Sequence, residues 1–192
     1  MNKKHIIISI IIATLVFVVF YFGKDKNQTD ENIGLNFELE QTEEATARID
    51  EIKEVVIVPE DVYLHQNPNF SFQKPKGFTI GEIEEADGGK SIIVQNTNTG
   101  LGFQIFVSTF DEDINILTES RIRQDLPSLV IDKPQKIQIN SGEGLAFVSQ
   151  NPAFGRSREI WFVHNRFLYQ MSTYIESEAL LQKVLNTFQI YS

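Results

Sequence analysis

The 192-residue chain carries 17 basic and 26 acidic residues, a net charge of −9, and no cysteine. So acidic a surface repels nucleic acid and anionic lipid head groups, which excludes both as expected partners. The missing cysteines remove disulfides, thiolate nucleophiles and cysteine-ligated metals together.

Residues 1–5 form a short polar tail, and residues 6–22 then run without a charge, proline or glycine. At ~1.5 Å per residue a helix of that length spans ~26 Å, close to a ~30 Å hydrocarbon core. His5 on one side and Phe20, Tyr21 and Phe22 on the other can sit at the interfaces. A cleaved signal peptide has an apolar core of ~7–15 residues and small side chains at its cleavage site. This run is longer and ends in aromatic rings, and lipoprotein processing would need a cysteine. The expectation is an uncleaved transmembrane signal anchor, which makes the lipid bilayer the first partner. Lys3 and Lys4 precede the helix while Lys24 and Lys26 follow it, so flanking basic residues nearly tie. The short tail favours the N-terminus inside and the large domain outside the cell membrane. An exported domain without cysteine fits a bacterial envelope.

Residues 23–58 hold ten acidic and four basic residues and read as an acidic stalk, disordered through Leu39. Ala45, Ile49, Ile52 and Val56 then recur at helical spacing, and Glu44 and Arg48 form a favourable i,i+4 pair. A short helix over 42–55 is expected. Val55-Val56-Ile57-Val58 is too apolar for solvent and should dock on the domain that occupies 59–192.

His65 falls before the first expected strand, where Phe70 and Phe72 alternate with Ser71 and Gln73. Pro75-Lys76-Gly77 turns the chain into Phe78–Ile80, and Asp87-Gly88-Gly89 separates that run from a strand at 91–95. A strand at 103–109 follows. Thr118 can cap a short helix that Pro127 must end. Strands are expected at 136–140 and 145–150 around Ser141-Gly142-Glu143. Arg158–His164 and Phe167–Tyr174 make a hairpin over Asn165-Arg166. Ser177 should cap a final helix with Leu181, Val184, Leu185 and Phe188 on one stripe.

A two-residue turn would pair His164 with Phe167, Phe162 with Tyr169, Ile160 with Met171 and Arg158 with Thr173. That face is continuously apolar, and the C-terminal helix is its simplest cover. The opposite face pairs Val163 with Leu168, Trp161 with Gln170 and Glu159 with Ser172. Mixing one tryptophan with polar groups, it should be only partly covered. The fold class is α+β: an antiparallel sheet covered by helices.

Phe-Ser-Phe-Gln-Lys-Pro-Lys-Gly-Phe-Thr-Ile at 70–80, Arg-Glu-Ile-Trp-Phe-Val-His-Asn-Arg-Phe-Leu-Tyr-Gln at 158–170 and Leu-Leu-Gln-Lys-Val-Leu-Asn-Thr-Phe at 180–188 resemble PsbP-like domains. The resemblance spans residues 68 to 190. It implies an antiparallel sheet between helices, an α-β-α sandwich. The same fold occurs in the extrinsic photosystem II protein and in small membrane-anchored envelope proteins without known function. It also implies a binding or assembly role in place of catalysis, and it carries no functional residues across.

Apparent motifs fail on spacing. Gly89-Lys90-Ser91 mimics the end of a P-loop, but Glu84 stands where the first glycine belongs and a strand follows where a helix should. Nucleotide is therefore excluded. Asp111-Glu112-Asp113-Ile114-Asn115 opens like a calcium loop, yet Ile116 and Ile122 occupy the required glycine and acid positions. His5, His65 and His164 are too scattered for a catalytic triad or a zinc site. Glu84 and Glu85 are adjacent and point to opposite faces. No catalytic residue, metal or cofactor is expected.

Two function classes remain. One is a membrane-tethered, non-catalytic module that binds an envelope protein or a cell-wall component. Its expected surface is Trp161 with Arg156, Arg158, Glu159 and Gln170, since tryptophan and arginine are enriched at binding hot spots. The other is a small-ligand or hydrolytic domain with a pocket between sheet and C-terminal helix. The anchor itself is directly testable. Deleting residues 1–23 should convert an integral membrane protein into a soluble one that still folds. Release of the full-length chain by alkaline carbonate, or a mature N-terminus near Lys24, would overturn it.

Overall fold

The computed structural model describes residues 61–86, 88–139, 142–151 and 155–191. The expected membrane helix at 6–22, the stalk at 23–58 with its short helix, and the segment Val55–Val58 lie outside the described residues. Among the described residues no helix is long and apolar enough to cross a membrane.

Period-two alternation builds two antiparallel meanders. The first is β3 (Thr79–Glu84), β4 (Lys90–Asn96) and β5 (Leu101–Thr109). The second is β6 (Asp132–Ile139), β7 (Gly142–Asn151), β8 (Gly155–His164) and β9 (Phe167–Tyr174). β9 pairs with β5 and joins them into one seven-stranded sheet, ordered β3-β4-β5-β9-β8-β7-β6. At the β8–β9 turn Asn165 and Arg166 take φ of 48° and 63°, the primed geometry that matches strand twist. The resulting register pairs Phe162 with Tyr169, Ile160 with Met171 and Trp161 with Gln170, as the sequence predicts.

The inner face carries Ile92, Val94, Phe103, Ile105, Ile160, Phe162, Tyr169 and Met171 into one buried cluster. Phe162 and Tyr169 stack across the hairpin with centroids 4.7 Å apart and planes 4° from parallel. The C-terminal helix, Glu178–Leu185, covers them with Leu181 and Val184, and Phe188 just beyond it meets Phe162 edge-on at 6.1 Å. Ser177 stands at the helix N-cap position but makes no side-chain capping bond. A 3-10 turn, Ile175–Ser177, leads into the helix there, and Ser177 lacks the extended backbone of an effective cap.

Helices are not the only cover. β1 (Val62–Gln66), β2 (Asn69–Gln73) and β10 (Gln189–Ile190) form a second, three-stranded sheet ordered β1-β2-β10. It drives the fully buried Phe70 and Phe72 into the same inner cluster. His65 therefore lies within a strand, not ahead of the first one. Its ring stacks on Phe70 at 4.7 Å, and its Nδ1–H donates to the Pro68 carbonyl at 2.8 Å. β2 pairs with the chain's far end, Ser71 opposite Gln189, and local pattern cannot reveal a partner that remote. Tyr63 fastens the two sheets together by donating to Glu82 Oε1 at 2.6 Å.

The outer face, expected to be only partly covered, is closed by the connection from β5 to β6. That connection contains α1 (Glu119–Asp125), which Thr118 caps by accepting from the Arg121 amide at 3.2 Å. Label the C-terminal helix α2. Phe110, Leu117, Ile122, Leu129 and Ile131 of the connection pack on Leu145, Phe147, Trp161, Val163 and Leu168. Arg121 pins the layer by holding Glu112 at 2.6 Å and Asp125 at 2.7 Å.

With one ring in each cluster, Phe162→Ala and Trp161→Ala should each lower stability by ~3–5 kcal/mol in urea unfolding. A loss below ~1 kcal/mol for Trp161→Ala would contradict its burial.

Candidate functional site

Trp161, Arg156, Arg158, Glu159 and Gln170 do not share a surface. Alternation along β8 sends Trp161 and Glu159 to the outer face and Arg156 and Arg158 to the inner one. Trp161 and Glu159 are 2% exposed and Gln170 6%. The Trp161 ring packs edge-on to Phe147 at 5.3 Å, so it serves as core and not as a recognition anchor. The reason is tertiary: the β5–β6 connection supplies apolar cover that β8 and β9 could not announce. Arg156 is exposed and makes no ion pair among the described residues.

Burying Trp161 also buries an acid. Glu159 accepts from Ser157 Oγ at 2.6 Å on one oxygen. Its other oxygen accepts from Trp161 Nε1 at 3.1 Å and Ser172 Oγ at 2.9 Å. Its cross-strand neighbours Phe147 and Ser172 carry no charge. Desolvation pushes the Glu159 carboxyl above the usual carboxylate range, and the three donors only partly offset it. With both oxygens engaged and only 2% of its surface exposed, this acid is structural.

A more accessible constellation lies on the opposite face of the sheet. Between α2 and the inner faces of β6, β7 and β8 sits a recess of about 210 Å³. Ile137, Ile139, Ala146 and Ile160 form its floor, and Leu181 and Leu185 its helical wall. Beside that floor Gly144 lets Ile139 and Phe162 pack closely over the strand: a Cβ there would meet Ile139 Cδ1 at 3.1 Å and Phe162 Cβ at 3.2 Å. Gln135, Gln182, Asn186, Arg158 and Glu178 converge on the rim. Arg158 donates to Glu178 Oε1 from Nε at 2.8 Å and from Nη2 at 2.7 Å.

Of the five expected residues, only Arg158 belongs to this recess. A pocket between sheet and C-terminal helix was the alternative reading of the sequence, and no residue pattern advertised its walls. β6 looks polar in isolation, and Gln182 and Asn186 look like an ordinary solvated helix face. Elsewhere, Lys90 leads into β4 and pairs with Glu82 and Glu84 at 3.2 and 2.9 Å, while Glu112 is taken by Arg121. Among the described residues no three His, Asp or Glu side chains gather as a metal site would require.

Glu159 makes stability depend on pH. Its folded-state pKa is raised, so above the usual carboxylate range the native state holds a proton that the unfolded chain has lost. Stability should therefore fall as pH rises through that window. In Glu159→Gln the amide oxygen can accept from Trp161 and Ser172 while its NH2 donates to Ser157. The variant should melt higher than wild type near neutral pH and lose this decline. Melting temperatures between about pH 4 and about pH 8 check it, and parallel curves would refute the assignment.

No protein-family profile matches the chain, and none of the curated proteins does. Among solved structures it is similar to the cyanobacterial PsbP (CyanoP) of Synechocystis sp. PCC 6803, with a TM-score of 0.49 and 9% sequence identity. The match covers 74% of this chain and 99% of that chain.

Proposed function

We propose that this chain is a membrane-tethered extracytoplasmic binding module of the cell envelope, and that the recess beneath α2 is its binding site. The tether rests on residues 6–22, whose length and composition suit a bilayer. The binding role rests on one observation: an apolar floor ringed by side chains of both charge signs and several amides. Sites for small molecules share that construction, an apolar body with a few converging polar groups that fix orientation.

A hydrolytic use of the same recess is the second reading. Its walls offer amides and an arginine already paired with a glutamate, groups that hold and orient a ligand. Hydrolysis would need a nucleophile within hydrogen-bond reach of a base.

The test uses a plug. Gln182 is exposed on the helical rim, so Gln182→Trp can lay a ring over the mouth without disturbing the core. Full-length protein incubated with envelope extract should retain a component identifiable by mass spectrometry, and the plugged variant should lose it. Equal retention by both proteins would overturn the recess as the site.

A further inference from the structure

The ion pair on the rim is lopsided. Both Arg158 contacts fall on a single glutamate oxygen, Oε1, whereas a full fork-to-fork pair engages both carboxylate oxygens. Nη1 of Arg158 is left without a partner among the described residues. The two partners also differ in how firmly they are held. Arg158 projects from β8 near the middle of the large sheet with its side chain 20% exposed, while Glu178 opens α2 with its side chain 44% exposed. Water solvates a displaced Glu178 at little cost, because so exposed a pair is weak. Arg158 has less freedom, since its stem packs beside the recess.

We propose that the recess binds a small organic carboxylate. The ligand's head displaces Glu178 from Arg158, and its aliphatic body lies over Ile137, Ile160, Leu181 and Leu185. This inference rests on the recess being the binding site. A planar carboxylate fits the guanidinium fork with both oxygens, which Glu178 does not do here. A doubly charged phosphate would meet one arginine beside an acidic side chain, in a protein of net charge −9. The 210 Å³ volume lies below the ~300–1,000 Å³ of drug-sized sites, so the occupant is a small metabolite and not a long-chain lipid. Gln135, Gln182 and Asn186 give hydroxyl or amide substituents on that body something to bond.

Hexanoate and hexan-1-ol are suitable probes, titrated into the full chain in lipid nanodiscs and read from side-chain methyl signals. Empty nanodiscs provide the blank for partitioning. Hexanoate should shift the Ile137, Ile160, Leu181 and Leu185 methyls and bind about tenfold more tightly than hexanol. Arg158→Gln should weaken hexanoate about tenfold, Arg158→Lys should restore part of that, and Glu178→Gln should tighten it about threefold. Unchanged methyl signals from the rest of the core verify that each variant is folded. Equal binding of acid and alcohol, indifferent to Arg158→Gln, would overturn the carboxylate while leaving the recess as a site. If neither probe moves these methyls, the recess and its ligand class fall together.

Discussion

The register of the β8–β9 hairpin is the constraint on which the rest of the domain depends. A slip of one residue would carry Phe162, Ile160 and Arg158 to the crossover side and Trp161, Val163 and Glu159 beneath α2. Positive φ at both Asn165 and Arg166 confines the turn to two residues and so fixes that register. β9 then passes it on, pairing Ile105 with Met171 and Val107 with Tyr169 in β5. One turn thus determines which side chains of both meanders meet the helix and which meet the crossover.

The recess follows from the mismatch between a wide sheet and a short helix. Seven strands at ~4.8 Å spacing are ~29 Å across, whereas eight helical residues reach only ~12 Å. The three-stranded sheet covers part of the remainder with Phe70 and Phe72. At β6 the cover thins, and Ile137 and Ile139 meet the end of α2 with space between them. β6 is also an edge, and it carries the usual protections against pairing with another chain. Pro134 removes a donor, Lys133 takes φ of 50°, and the pairing with β7 shifts between Asp132 and Gln135. The edge resists strand addition while the recess behind it stays open.

The covered outer face carries more polarity than a packed layer needs. Beside the Glu159 group, Gln104 donates to Ser91 Oγ at 3.0 Å, and Ser91 donates to Glu85 at 2.7 Å. Gln170 Nε2 is buried with no hydrogen-bond partner among the described residues. Such groups cost stability relative to an apolar layer, and the paired ones resist slippage because a shifted register would strand them without partners. The indole of Trp161 belongs to this arrangement as both cover and donor.

Local pattern was enough for much of this. The alternation of Phe162, Ile160, Tyr169 and Met171 revealed a strand pair, its turn and the face that Leu181 and Val184 would cover. The membrane role of the charge-free run at 6–22 is a proposal that rests on its length and composition alone. Three things depended on tertiary structure. The pairing of β2 with β10 joins residues more than a hundred positions apart, so nothing near Ser71 encodes it. The fate of Trp161 turned on the route of the β5–β6 connection, because an aromatic ring on a half-polar face reads equally as core or as anchor until its cover is known. The recess exists only where α2 falls short of β6. Its lining runs from Gln135 to Asn186, and each segment looks ordinary until the fold brings them to one rim.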